Sequence, residues 1–468
     1  MTKKYGKLII LAMIAALFIL VWEMPVGSEA AAVAPVSAPS VAGTWKKDAK
    51  GSYYVFSDKS GRANTEYIKG RWVNSKGYWD KTRAGKWVKT SAGKKYKTGK
   101  TYAKSKWVQI NRKYYYFNAK GILVTGKWVG KYYVNKDGVR TKVKKLVKPT
   151  TSPLAKPTYP ASSAAKKWGA LQVKGTKLVS ASGKSVQLKG VSTFGIIWDE
   201  GRYNINLQAF KTVKSWGANA VRLAVYTEEY GGYCNTTDNV ETKALKQTVY
   251  NAVSYASKLG MYVIIDWHIL QDGNPNTHIK QAKQFFADMS CKYSNYTNVI
   301  YEICNEPNGT DWNSVKKYAD TIIPIIREND SDAIILVGTP TWSQDVDLVA
   351  SNPVKQKKNV MYVLHFYATT HGDYLRNKLN TALAAGTPVF VSEFSICAAD
   401  GNGSIDYNSA AAWKKLINSN KISYMGWSLS NKNETSAIIK NSCTKHSGWT
   451  DSDLTETGKY LKKWIQGK

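Results

Sequence analysis

Between residues 186 and 429, eight short apolar, β-branched or aromatic runs alternate with segments of helical period. The runs are 186–194 (VQLKGVSTF), 219–226 (NAVRLAVY), 261–267 (MYVIIDW), 298–304 (NVIYEIC), 333–338 (AIILVG), 360–367 (VMYVLHFY), 388–394 (PVFVSEF) and 423–429 (SYMGWSL). Near-continuous apolar runs of this length suit strands buried on both faces, and such strands need crossover helices between them. The intervening AFKTVKSWG, ETKALKQTVYNAVSYASKLG, HIKQAKQFFADMSCKYS and SAAAWKKLINS supply those helices. Eight strands with eight crossovers predict a (β/α)8 barrel over 168–468, opened by a small hairpin near 171–185. A doubly wound open sheet is the competing fold, but no Gly-rich phosphate loop follows an early strand.

In a barrel of this kind the reactive groups stand at the C-terminal strand ends. Those ends carry Arg222, Asp266-Trp267-His268, Asn305-Glu306-Pro307, His365-Phe366-Tyr367, Glu393-Phe394 and Trp427, with Lys432 and Glu434 just beyond. Glu306 and Glu393 face each other across the predicted mouth. A carboxylate that ends a buried strand is costly unless paired, so the pattern points to a use for it. Two carboxyl groups flanking a cleft are what glycoside hydrolysis needs: one protonates the leaving oxygen, the other attacks the anomeric carbon or activates water. Aromatic residues beside them suit the C–H faces of sugar rings. On residue type alone, His268, His365 and Trp427 also read as core residues, and Asp266 as a hydrogen-bonding group beneath the site. No HExxH pattern or acidic triplet suggests a metal, and no cofactor motif is present.

The segments IYEICNEPNG, VLHFYATTHG, VFVSEFS and WSLSNKNETSA resemble glycoside hydrolase family 5, especially its bacterial endo-β-1,4-glucanases. The resemblance covers nearly all of 170–468. It implies retaining hydrolysis, with Glu306 as general acid/base and Glu393 as nucleophile. It implies that Asn305 binds the sugar 2-hydroxyl, and that Arg222 and Tyr367 orient Glu393. His268 and His365 would line the site, and Trp427 would lie under the reacting sugar. Trp198, Lys432 and Glu434 would hold the neighbouring sugar, with Tyr226 close by. Two positions depart from the family pattern. Phe194 replaces a histidine and gives the cleft an apolar face, and Phe394-Ser395 replaces Trp-Gly, which predicts a reshaped cleft floor. Mannan, mixed-linkage glucan, chitosan or a wall polymer is the alternative substrate, and a catalytically silent glycan-binding protein is the alternative class.

The rest of the chain is built differently. The formal charge of +34 is concentrated: residues 41–150 hold about 29 basic and about 5 acidic residues. Residues 1–30 read as a secretory signal, with Lys3, Lys4 and Lys7 before an apolar run from Leu8 to Trp22 and small residues Ser28 and Ala30 at the cleavage positions. That run is short for a membrane span. A linker over 31–42 follows, and 43–140 repeats itself imperfectly around Trp72, Trp87, Trp107 and Trp128. Each unit ends in an aromatic strand and a Gly turn, which predicts β-hairpins stacked as a solenoid. These units resemble the cell-wall-binding (choline- or glucan-binding type) repeats of Gram-positive surface proteins, and the resemblance implies a wall polymer or glycan as partner. Their lysines suit anionic wall polymers by charge. A secreted protein makes nucleic acid an unsuitable partner, and signal removal leaves no membrane segment. Residues 141–167 hold Pro149, Pro153, Pro157 and Pro160 and read as an extended linker. The five cysteines show no CxxC spacing, which permits zero to two disulfides with at least one free thiol.

Overall fold

The computed structural model describes residues 42–58, 60–143, 147–236 and 239–468. The proposed signal, and the small-residue stretch after it up to residue 41, lie outside the described residues. Among the described residues no helix is long and apolar enough to cross a membrane. The chain divides near residue 144 into two compact units.

In the second unit eight parallel strands close into a barrel. They are β1 (Lys189–Thr193), β2 (Ala220–Tyr226), β3 (Tyr262–His268), β4 (Val299–Glu302), β5 (Ile334–Val337), β6 (Val360–Tyr367), β7 (Val389–Ser395) and β8 (Tyr424–Leu429). Every one coincides with a run read from the sequence. Helices over Leu207–Ser215, Asn239–Leu259, Ile279–Lys292, Trp312–Arg327, Asp373–Ala384, Tyr407–Ser419 and Glu456–Gln466 surround them. Their starts are set locally: the side chains of Asn206, Asp311, Asp406 and Thr455 each accept from a backbone N–H of the first helical turn.

Strand alternation sorts the residues. On β2, Val221, Leu223 and Val225 join the core between strands and helices, while Ala220 joins the apolar layer inside the barrel. Arg222 is the next residue in phase and is fully buried. The inner apolar layer holds Tyr262, Ile264, Ile300, Leu336, Met361, Val363, Phe390 and Met425. Leu178, from the hairpin Gln172–Lys174/Lys177–Val179, packs into the same layer. The hairpin therefore plugs the end at which the strands begin and leaves the other end for chemistry.

The alternation breaks once where it matters. The pairing of β7 shifts between Val391 and Phe394 on one side, and that of β6 shifts between Val363 and His365. Such an irregularity re-aims side chains. Ser392 and Glu393, though consecutive, both bond to interior groups. Phe394 consequently turns outward: it is fully buried and stacks on Phe366 at 5.0 Å between strands and helices. The expectation that it reshapes the cleft floor is corrected; it is a core residue of the outer layer.

The Pro-rich segment is extended but not free from Thr150 onward. Thr150 donates to Asp288 through both its N–H (2.6 Å) and its hydroxyl (2.9 Å). Leu154 N–H donates to Lys292 O, and Tyr159 OH to Asn298. Ser163 then caps the helix Ala164–Trp168. Proline fixes an extended backbone, but side chains between prolines decide whether it is tethered. All five cysteines are free thiols.

Among its described residues the first unit is built of strands and turns. Its hairpins share sheets. Seven strands pair in one sheet, in which the 12-residue Trp79–Thr90 bridges Arg71–Val73 and Gly93–Thr98, and Tyr67 pairs in parallel with Ile110. A two-stranded and a three-stranded sheet complete it. This corrects the stacked-hairpin solenoid: pairing crosses the repeat boundaries. The repeat survives in its turns. Asn74, Asn118 and Asn135 each accept two backbone N–H groups of the following turn, closed by Gly77, Gly121 and Gly138 at positive φ.

Candidate active site

Arg222 organises the open end of the barrel. Its guanidinium donates to Glu302 twice (2.8 and 3.1 Å), to Glu393 (3.0 Å), to Asn305 (2.6 Å) and to Ser192 (3.2 Å), and it lies 3.0 Å from Asp266. One buried cation thus meets three carboxylates, with the Glu306 carboxyl as a fourth nearby. It cannot neutralise them all, so some hold protons near neutral pH. Burial raises both Glu302 and Glu393, and the hydrogen bonds each accepts from the guanidinium pull them back toward the ionised form. Burial pushes Asp266 up to about 7 and Glu306 up to about 8. For Glu306 the charges of Asp266 and Glu302 add to burial, while Arg222 opposes it. Burial raises Glu393 most, the Glu306 charge adds to this where Glu306 is ionised, and Arg222 opposes both.

The two glutamates lie with His365 in one group, a carboxylate oxygen of each within 4.8 Å of the other's. Tyr367 OH donates to Glu393 Oε1 at 2.8 Å, and Arg222 holds Oε2. Glu393 is therefore gripped at both oxygens. Glu306 Oε1 lies 2.8 Å from His365 Nδ1, and His365 Nε2 lies 2.9 Å from Ser392 Oγ. His268 Nδ1 contacts Asp266 at 2.6 Å, and its ring stacks on Trp427 with centroids 5.4 Å apart. Burial takes His268 down to about 3 and His365 to about 4, so both rings are neutral. Asn305 Nδ2 has protein acceptors at Ile269 O (3.1 Å) and His268 Nε2 (3.3 Å). A sugar hydroxyl would compete with one of these.

Beside the carboxylates stands an aromatic wall. Phe194 packs on Trp198 (5.3 Å), Trp427 (5.8 Å) and Tyr226 (6.4 Å), and Trp198 meets Tyr226 edge-on at 4.6 Å. Lys432 lies over the Phe194 ring at 4.8 Å and pairs with Glu434 at 2.6 Å. All twelve residues singled out in the sequence therefore belong to one connected site. Sequence reasoning missed Glu302 and Ser392, which bond Arg222 and His365 respectively. Glu302 left a signal, a charge in phase with Ile300 inside an apolar run. Ser392 left a weaker one, a polar residue in phase with Phe390 but beside the more conspicuous Glu393. Glu228, Asp272 and His278 form another group close enough to share a cation; both Asp272 oxygens already accept from Thr227.

A family model described as cellulase (glycosyl hydrolase family 5) matches residues 179–433. An endoglucanase of Clostridium saccharobutylicum is 46% identical over 313 residues, which span 66% of this chain and 68% of that protein. Endoglucanase A of Butyrivibrio fibrisolvens is 46% identical over 302 residues, 63% of this chain and 68% of that one. Among solved structures, cellulase Cel5C_n superposes with a TM-score of 0.62 at 41% identity, covering 66% of this chain and 95% of its own. The catalytic domain of Thermobifida fusca endoglucanase Cel5A, solved with cellotetraose, gives 0.61 at 35% identity, covering 65% and 100%. The match of the family model to more than half of the chain, on the segment that builds the barrel and both glutamates, shows that the chain belongs to the cellulase family, glycosyl hydrolase family 5.

Proposed function

We propose that the protein is a retaining endo-β-1,4-glucanase. The observation that carries this reading is the carboxylate pair: oxygens of Glu306 and Glu393 lie within 4.8 Å. Retaining enzymes hold their carboxyl groups about 5–5.5 Å apart, and inverting ones about 6.5–9.5 Å, to admit a water between them; the close oxygen approach supports the shorter spacing. The surroundings also separate the two roles. Glu393, held by Arg222 and Tyr367, is the ionised nucleophile, and Glu306, with its pKa near 8, is the acid.

In the first step a Glu393 oxygen bonds to the anomeric carbon. The glycosidic C–O bond breaks, and the Glu306 proton passes to the leaving oxygen. Water then attacks the anomeric carbon, gives its proton to Glu306, and releases Glu393. Asn305 contacts the 2-hydroxyl of the reacting sugar. Trp427, Trp198 and Tyr226 offer aromatic surface to sugar rings, and Lys432 with Glu434 offers hydrogen bonds to their hydroxyls. The endoglucanases and cellulases that it resembles support β-1,4-glucan as the substrate; a related β-glycan is the second reading, favoured by the apolar face at Phe194.

Residues 1–30 serve as a secretory signal, and the protein works outside the cell. The basic unit over 43–140 binds a wall polymer or glycan, and 141–167 joins it to the catalytic unit over 168–468. A cavity of about 410 Å³ supports the binding role; Trp72, Trp107, Tyr114, Arg83 and Lys106 help line it. Arg140 lies over the Tyr114 ring at 3.9 Å.

The test is reducing-sugar release by the full chain from soluble cellulose, mixed-linkage glucan, mannan and chitosan, beside Glu393→Gln. Release from the glucans, lost in the variant, is expected. Release from mannan or chitosan alone would overturn the substrate, and activity retained in the variant would overturn the nucleophile. Sedimentation of the variant with bare cell walls and with cellulose reads the first unit. Retention on neither would contradict its binding role.

A further inference from the structure

Ser392 sits where neither the acid nor the nucleophile needs a group, yet it ties them to the buried Arg222 cluster. Its hydroxyl lies 2.7 Å from Glu302 Oε1 and 2.9 Å from His365 Nε2. His365 Nδ1 in turn lies 2.8 Å from Glu306 Oε1. The chain Glu302–Ser392–His365–Glu306 has a polarity that counting hydrogens resolves. Glu302 accepts two bonds from the Arg222 guanidinium, which holds it as an acceptor-only carboxylate. The single Ser392 hydrogen therefore points to Glu302, and the Ser392 oxygen faces His365 as an acceptor. A neutral imidazole carries one N–H. It must lie on Nε2, which leaves the Nδ1 lone pair facing Glu306. A lone pair facing a carboxyl group favours the protonated acid and offers nothing to the carboxylate.

We propose that Ser392 is a positioning residue that fixes the tautomer of His365 and thereby keeps Glu306 protonated for the first step and strongly basic for the second. This rests on the reading of Glu306 as the acid/base. Tautomer choice by the partner of the other ring nitrogen is general for histidine. The groups facing Glu306 are Arg222 and Tyr226 from β2, Asp266 from β3, Glu302 from β4, His365 and Tyr367 from β6, and Glu393 from β7. Among these only His365 hydrogen-bonds to Glu306. The two consecutive inward side chains of β7 thus divide the work: Glu393 attacks, and Ser392 sets the proton of its partner. The register shift that turns Glu393 inward beside Ser392 is what makes this possible.

The experiment compares the full-length protein with Ser392→Ala and Ser392→Thr on two substrates. Cellotetraose needs a protonated leaving group. A dinitrophenyl cellobioside does not, and its kcat/KM reports only formation of the glycosyl-enzyme. In Ser392→Ala the imidazole is free to place its hydrogen on Nδ1 and donate to ionised Glu306. The alkaline limb of kcat/KM on cellotetraose is then expected to move to lower pH by about one unit, with a loss of roughly fivefold at pH 8 and approaching tenfold above it. On the aryl substrate the change stays within about twofold, and Ser392→Thr, which keeps the hydroxyl, restores the limb. An unmoved limb, or equal loss on both substrates, would overturn the proposal. Nitrogen-15 NMR of histidine in the unsubstituted protein gives an independent readout that requires no variant to fold. Protonated Nε2 and bare Nδ1 on His365 support the tautomer, and the reverse overturns it. Absence of turnover on both substrates by the unsubstituted protein would instead sink the acid/base reading, and the NMR result would still decide the tautomer.

Discussion

The two halves of the barrel interior are made by the same strands in the same phase, yet they do opposite things. Toward the plugged end, in-facing positions are Ala220, Ile264, Ile300, Val363 and Phe390. Toward the open end the next in-phase positions are Arg222, Asp266, Glu302, His365 and Ser392, all of them buried as well. Two residues along a strand, about 6.6 Å, separate a layer held by apolar packing from one held by hydrogen bonds to a single guanidinium. The lower layer gains stability from burial alone. The upper layer carries a desolvation cost, offset only because each carboxyl group has a donor or keeps its proton. Function occupies the half where the sequence departs from the most stable choice.

Substitutions in each half should separate these contributions. Arg222→Ala removes the one cation and is expected to do the most damage, with about 3–5 kcal/mol of stability lost and activity abolished. Chemical denaturation and turnover on cellotetraose would check both, and a variant with native stability would break the account of the upper layer. Ile264→Ala, two residues below Asp266 on β3, should cost about 2–5 kcal/mol through the cavity it leaves. Its kcat per folded molecule at 25 °C should stay close to that of the unsubstituted protein. A loss of kcat comparable to that of Arg222→Ala would mean that the layers are not separable. The smallest effect is in pH. Glu306 must be protonated to act as the acid, and its pKa is raised, so the competent form is present below about 8 and lost above it. The kcat/KM profile on cellotetraose should fall on the alkaline side near that value. A fall centred near pH 5 would show that burial does not hold the proton there.

The lower half was legible in the sequence because apolar runs and strand period coincide over all eight strands. Most of the upper half was legible because Arg222 interrupts one such run and Glu306 and Glu393 stand at or just past the ends of two others. What was not legible depends on register. The shift in β7 turns Glu393 inward beside the in-phase Ser392 and turns Phe394 outward, and no alternation rule locates such a shift. The first unit gives the same lesson. Its Asn-x-x-Gly turns mark each hairpin, but whether hairpins stack or merge depends on strand pairing, and Trp79–Thr90 pairs on both sides. Residues 150–163 read as linker from their prolines, and only the positions of Asp288 and Asn298 on the barrel reveal the tether.

The central claim is double displacement by Glu393 and Glu306, and the stereochemistry of the first product tests it most directly. Proton NMR of cellotetraose hydrolysis by the full chain, followed from the first minutes, reports the anomer released before mutarotation. The account predicts that the β-anomer forms first and relaxes toward the equilibrium mixture. Initial release of the α-anomer would mean a single displacement by water and would contradict the role given to Glu393.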